Sequence, residues 1–329
     1  MASAPVVEVT ERVITRLRAE KHRAETWIDA VDLIAEPEPE REWVINDFIE
    51  RQGRILLAGA EGIGKSFVTL TLAVQAASGK EPVLGRFLTP YPCRVLYLEL
   101  EMGRSTVRGR LRKLITSAGG LDHGAVELYL RPDGVDLKSQ KERRDLDTRI
   151  ADSEADLVVV DPFYKWTNPN PRDEAELLAA LRVIDQWRLH HGVAVILIHH
   201  LRKRQSGEAG RGKDVSDLYG SSILSRWPET VMILTEDDRL KVEKDRDHTF
   251  ADRPAFPLVR GGRWPFSLGD PGAAFSGPIL GHLRDAGPTS GNALWGRIGG
   301  RTQDFYAAIR NLEREGRIRR SGQRWEAVE

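Results

Sequence analysis

The sequence predicts an α/β fold, a mainly parallel sheet with helices on both faces, followed by a small C-terminal winged helix-turn-helix module. Three observations predict it. Between residues 54 and 200, β-branched apolar runs alternate with amphipathic stretches, the order expected of a parallel sheet. Central runs such as Leu157-Val158-Val159-Val160 are apolar at every position, as a strand buried on both faces requires. After residue 279 the pattern reads helix, helix, turn, helix, hairpin.

At 329 residues, 40% hydrophobic and 30% charged, the chain can build one large core and a smaller satellite. Lys+Arg and Asp+Glu both number 49, so no global field attracts polyanions and any such binding must come from local patches. The lone Cys93 excludes an intramolecular disulfide and fits a reducing compartment. There is no basic leader before an apolar core and no apolar run long enough to span a bilayer, so a soluble, cytoplasmic protein with no membrane contact is expected.

Residues 1–40 read as an extension. Val9 to Ala24 forms a narrow amphipathic helix through Val13, Ile14 and Leu17, lying either on its own domain or on a neighbouring subunit. Glu36-Pro37-Glu38-Pro39-Glu40 is a stiff acidic linker, since proline disfavours helix for itself and its predecessor. A nucleotide-binding domain then spans 41–267. Its strands are expected at 54–58, 94–100, 126–130, 156–160 and 193–198, and its helices at 65–78, 104–117, 139–152 and 173–191, with Gly119-Gly120 and Gly192 as stops. Val231 to Leu234, Leu240 to Lys244 and the pieces around Gly261-Gly262 read as antiparallel additions at a sheet edge. The Gly/Pro-rich stretch 268–278 is the expected linker to the module at 279–329.

The stretch Gly59-Ala60-Glu61-Gly62-Ile63-Gly64-Lys65-Ser66, between a strand and a helix whose amphipathic pattern begins at Phe67, satisfies the phosphate-loop pattern in its required setting. Glycines let successive amides point at phosphate oxygens, and the helix N-terminus adds its dipole. Lys65 reaches the outer phosphates and the Ser66 hydroxyl holds Mg2+. Asp161, closing the strand Asp156 to Asp161, brings a carboxylate to the sheet edge where parallel sheets bind ligands, and completes the metal site. A second strand, Val95 to Gly103, ends in Glu99 and Glu101, either of which could take the proton of an attacking water.

Leu100-Glu101-Met102 after a buried strand is similar to a motif of DnaB-type helicases, and Arg94 to Glu101 resembles the RepA-like ATPases of plasmids and phages. The resemblance covers residues 40–260 and implies a RecA-like core, ATP with Mg2+ as cofactors, and Glu101 as the base, with Glu99 a competitor. It implies that His200, after His199 in Ile198-His199-His200-Leu201-Arg202-Lys203, senses the terminal phosphate. It places the basic loop Arg202, Lys203, Arg204, Arg211 and Lys213 against single-stranded DNA in a ring centre. Leu218 to Leu234 resembles a further segment of the group, and Lys244 with Arg246 matches a pair that enters the neighbour's site. The implied protein is a hexameric DNA motor, such as the replicative helicase of a mobile element or phage. Its alternative is an ATP-switched DNA-binding regulator that does not unwind.

The module at 279–329 carries nine Arg against six acids. Phe305, Ile309 and Leu312 have core spacing, while Thr302, Gln303, Tyr306 and Arg310 fall near the other face. Arg310 on a recognition helix and Arg319, Arg320 and Arg324 on a wing give a surface for duplex DNA or for protein.

Overall fold

The structure is a computed structural model that describes residues 28–38, 40–137, 139–167, 174–202, 215–218, 222–246, 249–250, 254–261, 263–269, 273–299 and 302–328. The chain divides into two units, 1–41 and 42–329. In the first, α1 (Ala30–Ala35) starts at Asp29, whose carboxylate accepts the Val31 amide at 2.8 Å. The helix expected at 9–24 lies outside the described residues.

The second unit opens with a hairpin of β1 (Trp43–Ile45) and β2 (Ile49–Glu50). Then β3 (Arg54–Gly59), α2 (Lys65–Ser78), β4 (Val95–Glu99), α3 (Arg104–Ala118), β5 (Val126–Leu130), α4 (Gln140–Ser153), β6 (Leu157–Asp161), α5 (Phe163–Thr167), α6 (Glu174–His191) and β7 (Ala194–His200) alternate. After α7 (Ile223–Arg226) come β8 (Thr230–Leu234), β9 (Arg239–Asp245), β10 (Ala255–Arg260) and β11 (Phe266–Leu268). They form one nine-stranded sheet in the order β11-β10-β9-β8-β3-β7-β6-β4-β5, parallel from β8 to β5. Every strand and helix expected between 54 and 200 is present, with ends displaced by two residues at most.

Each central strand feeds two cores, which is why its sequence is apolar without alternation. Ile55, Leu57, Val159, Ile196 and Met232 face one side with α2 and α3. Leu56, Ala58, Val158, Val160, Leu197 and Ile233 face the other with α4, α5 and α6. One expectation needs correction. Residues 231–234 belong to a parallel strand, because the chain returns through α7 to the start of β3, where the Glu229 carboxylate accepts the Arg54 amide at 2.8 Å. The antiparallel additions begin at β9.

The C-terminal part runs α8 (Ala273–Ala286), β12 (Thr289–Ser290), α9 (Gly291–Ile298), α10 (Thr302–Arg314), β13 (Ile318–Ser321) and β14 (Arg324–Ala327), with its sheet ordered β12-β14-β13. Ile279, Leu280, Leu283, Leu294, Phe305, Ile309 and Leu312 share one core. The linker expected at 268–278 is therefore shorter, since α8 already starts at Ala273 and runs through Pro278. Proline costs one backbone donor, and burial of the following Ile279, Leu280 and Leu283 offsets that loss. The Tyr306 hydroxyl donates to Asn292 Oδ1 at 3.0 Å, tying α10 to α9.

Candidate active site

Strands β3, β4, β6 and β7 deliver their last residues, Gly59, Glu99, Asp161 and His200, to one edge of the sheet. Gly59 opposes His200, and Glu99 opposes Asp161. β7 lies between β3 and β6, so the strand ending in His200 runs between the strand that enters the phosphate loop and the strand that ends in Asp161. The loop needs its glycines. A Cβ at Gly59 would sit 2.9 Å from the Leu234 carbonyl oxygen, and Gly64, the N-cap of α2, has φ 106°. No side chain caps α2, so its N-terminus presents backbone amides and positive dipole to the loop.

Lys65 is buried. Its ammonium donates to the carbonyls of Gly59 at 3.0 Å and Ala60 at 2.7 Å and lies 3.4 Å from His200 Nδ1. Burial first and Lys65 second lower the His200 pKa to about 4, so the imidazole is neutral at physiological pH. Asp161 Oδ2 accepts the Tyr97 hydroxyl at 2.6 Å, and the Ser66 hydroxyl beside it also favours the charged carboxylate. Thr69 Oγ1 stands 3.1 Å from the Tyr97 hydroxyl. Burial raises the Asp161 pKa to about 6 against these bonds. A hydroxyl and a carboxylate side by side are hard oxygen donors, and no group of three or more His, Cys, Asp or Glu suited to a metal occurs among the described residues. That set fits Mg2+, which keeps several waters and shares phosphate oxygens, and does not fit an all-protein cage.

The two glutamates differ sharply. Glu99 is buried, and its Oε1 accepts the amides of Glu101 at 3.0 Å and Met102 at 2.7 Å. Its Oε2 has no hydrogen-bond partner among the described residues. Burial, then the Asp161 charge, push its pKa to about 7. Glu101 is exposed, and its Oε1 accepts the Tyr164 hydroxyl at 3.3 Å. The Tyr164 ring lies 5.4 Å from that of His200, so one tyrosine touches both the solvent-facing carboxylate and the phosphate-side histidine.

Glu99 gives a pH prediction. It holds its proton in the fold and loses it in the unfolded chain between about pH 4.5 and 7, so its contribution to stability is full below this window and is lost as pH rises through it. Relative to Glu99→Gln, whose amide oxygen can still accept both backbone amides, the parent's urea midpoint should fall between pH 4.5 and 7. Parallel midpoint curves would remove this assignment.

Other expected site residues are more dispersed. Arg202 pairs with Asp217 at 2.7 Å and donates its amide to the Asp217 carbonyl. Lys203, Arg204, Arg211 and Lys213 lie outside the described residues. Lys244 donates to the carbonyls of Ser225 at 2.9 Å, Arg226 at 3.0 Å and Pro228 at 2.6 Å, and Arg246 donates to Arg226 at 2.9 Å. Both thus satisfy the carbonyl end of α7. They stand at the start of β8, at the sheet edge opposite their own chain's phosphate loop and roughly 17 Å from it along β3. In the C-terminal part Arg310 is exposed, Arg319 pairs with Glu326, and Arg320 stands over the Trp325 ring.

Sequence patterns missed Tyr97 and Tyr164, and also a wall beside the loop. Arg260 pairs with Asp238, donates to the Ile63 carbonyl at 3.4 Å and stands 5.2 Å over the Phe266 ring. Phe266 meets Phe67 edge-on at 5.4 Å, and Arg110 covers Phe67. The available signal was weak, namely an aromatic directly after Lys65-Ser66.

An edge built this way suits a nucleoside triphosphate, and the class is a P-loop ATPase on a mainly parallel α/β core. The family follows from comparison: the model of the AAA_25 family, described as an AAA domain, matches residues 17–206, and the chain belongs to that family. No curated protein matches the sequence. Among solved structures, a KaiC-like protein from the hyperthermophilic archaeon Pyrococcus horikoshii OT3 is similar at 16% identity, covering 71% of this chain and 100% of that one with a TM-score of 0.47. No described helix is long and apolar enough to cross a membrane.

Proposed function

We propose that the protein is a ring-forming, DNA-stimulated ATPase of the RepA/DnaB kind, a motor on single-stranded DNA. The supporting observation is the contact of Lys65 with His200, one residue before the chain leaves β7 for the basic segment at 202–213. A terminal phosphate competes with His200 for the Lys65 ammonium. Its arrival or departure then alters the hydrogen bonding of the residue at the root of that segment, while Arg202 stays anchored by Asp217.

In hydrolysis, amides of Gly59 to Phe67 and the Lys65 ammonium bind the phosphates. Ser66 and Asp161 would hold Mg2+, with Tyr97 orienting the carboxylate. Bound there, it would supply Lewis-acid neutralisation of phosphate charge. Glu101 orients a water and takes its proton, held by Tyr164 from one side and by Glu99 through the turn amides from below. Lys244 and Arg246 of one subunit reach the next subunit's phosphates. Duplex DNA binds the C-terminal part as a winged helix through Arg310, Arg319 and Arg320.

A strand-displacement assay on a forked duplex tests the motor. The parent should unwind with ATP, and Glu101→Gln should bind DNA without unwinding. Duplex binding by a parent that never unwinds would favour an ATP-switched regulator.

A further inference from the structure

The charges of this chain balance overall, yet one helix departs from that balance. α3 carries Arg104, Arg108, Arg110, Arg112 and Lys113 and no acid in 15 residues. By contrast α4 mixes both signs and several of its charges are paired: Lys141 with Asp145 at 2.6 Å, Arg149 with Glu127, and Glu142 with Arg131 at 3.4 Å. Arg104, Arg108, Arg112 and Lys113 are exposed, and none has an ion pair or side-chain hydrogen bond with a described residue.

The placement is ordered. Val107, Leu114 and Ala118 form the buried face. Arg104, Arg108 and Arg112 follow at four-residue spacing, which sets them on one stripe about 6 Å apart along the axis. Between and beside them stand Ser105, Thr106 and Gly109, all exposed and small. A protein partner would find no aromatic or aliphatic anchor on this face. A sugar-phosphate backbone would find guanidinium forks that match phosphate oxygens, hydroxyl donors, and room for close approach. The helix starts at Gly103 with no side-chain cap, adding the positive end of its dipole only two residues beyond Glu101.

We propose that the Arg104-Arg108-Arg112 face of α3 binds the phosphate backbone of single-stranded nucleic acid, as a second track in addition to the segment at 202–213. The proposal rests on the DNA-stimulated reading for its partner. It differs in the residues and in what they bring about, which is to lead a strand along the helix that begins beside the candidate base.

The test is fluorescence anisotropy of a labelled oligothymidylate of about twenty nucleotides with the intact protein across a salt series. Parent, Arg104→Gln/Arg108→Gln/Arg112→Gln and the corresponding triple Arg→Lys variant are compared. Gln is a good helix former, and a matching thermal melt checks the fold; single Arg108→Gln serves if the triple variant unfolds. At roughly 0.7 per lost phosphate contact on a single strand, the slope of log affinity against log salt should shrink by about 2 in the triple Gln variant and by about 0.7 in the single one. The triple Lys variant should keep the parent's slope. A Gln slope equal to the parent's overturns the proposal and leaves the motor reading standing. Loss of self-association with an unchanged slope also overturns it, assigning the face to a second copy, as does failure of the parent to bind the oligonucleotide. A reduced slope without DNA-stimulated ATP turnover sustains the α3 site and sinks the motor reading.

Discussion

Glu101→Gln is expected to lower ATP turnover by about 10²–10⁴-fold, the usual contribution of a positioned general base. Nucleotide affinity should stay near the parent's, because Glu101 is exposed and its carboxylate bonds only Tyr164 among the described residues, whereas the phosphate loop is held by Lys65, Ser66 and Asp161. Glu99→Gln should cost much less. Its amide oxygen can still accept the amides of Glu101 and Met102, so the turn that presents Glu101 is retained. Steady-state kinetics with calorimetric titration of nucleotide checks the pair. A larger loss of turnover in Glu99→Gln would make Glu99 the base, its pKa of about 7 then serving catalysis.

Lys65→Ala carries the other large effect. Removing a buried cation aimed at developing phosphate charge should lower turnover by about 10²–10³-fold, as loss of one preorganised electrostatic donor does. It should also release His200. Since Lys65 is the second cause of that histidine's depressed pKa, the imidazole should titrate higher in the variant while staying below its ordinary value because burial remains. Proton NMR of the histidine ring reads this without any activity. An unchanged titration would mean that Lys65 and His200 are not coupled, and the proposed link from phosphate to the basic segment would lose its first step.

Much of this site was legible because burial left the sequence little choice. Strands covered on both faces must be apolar at consecutive positions, so Leu157 to Val160 could not pass for a half-exposed strand, and a lone Asp161 at its end had to mark the sheet edge. The phosphate loop was legible for a related reason, since its glycines answer close approach at Gly59 and a left-handed backbone at Gly62 and Gly64 that other residues rarely adopt. Contacts between strands leave no such trace. That Tyr97 lies under Asp161, that Tyr164 joins Glu101 to His200, and that Arg260 and Phe266 return beside Ile63 depend on which strands become neighbours. The direction of β8 was hidden likewise, since apolar content alone does not distinguish a parallel from an antiparallel partner. At α8, Gly277-Pro278 looked like a breaker, whereas the apolar residues after it had a core to fill.

The most direct test is ATP turnover by the intact protein with Mg2+, measured with and without single-stranded DNA. Mg2+-dependent hydrolysis that single-stranded DNA accelerates is the expected result. Nucleotide binding with no turnover under either condition would contradict it.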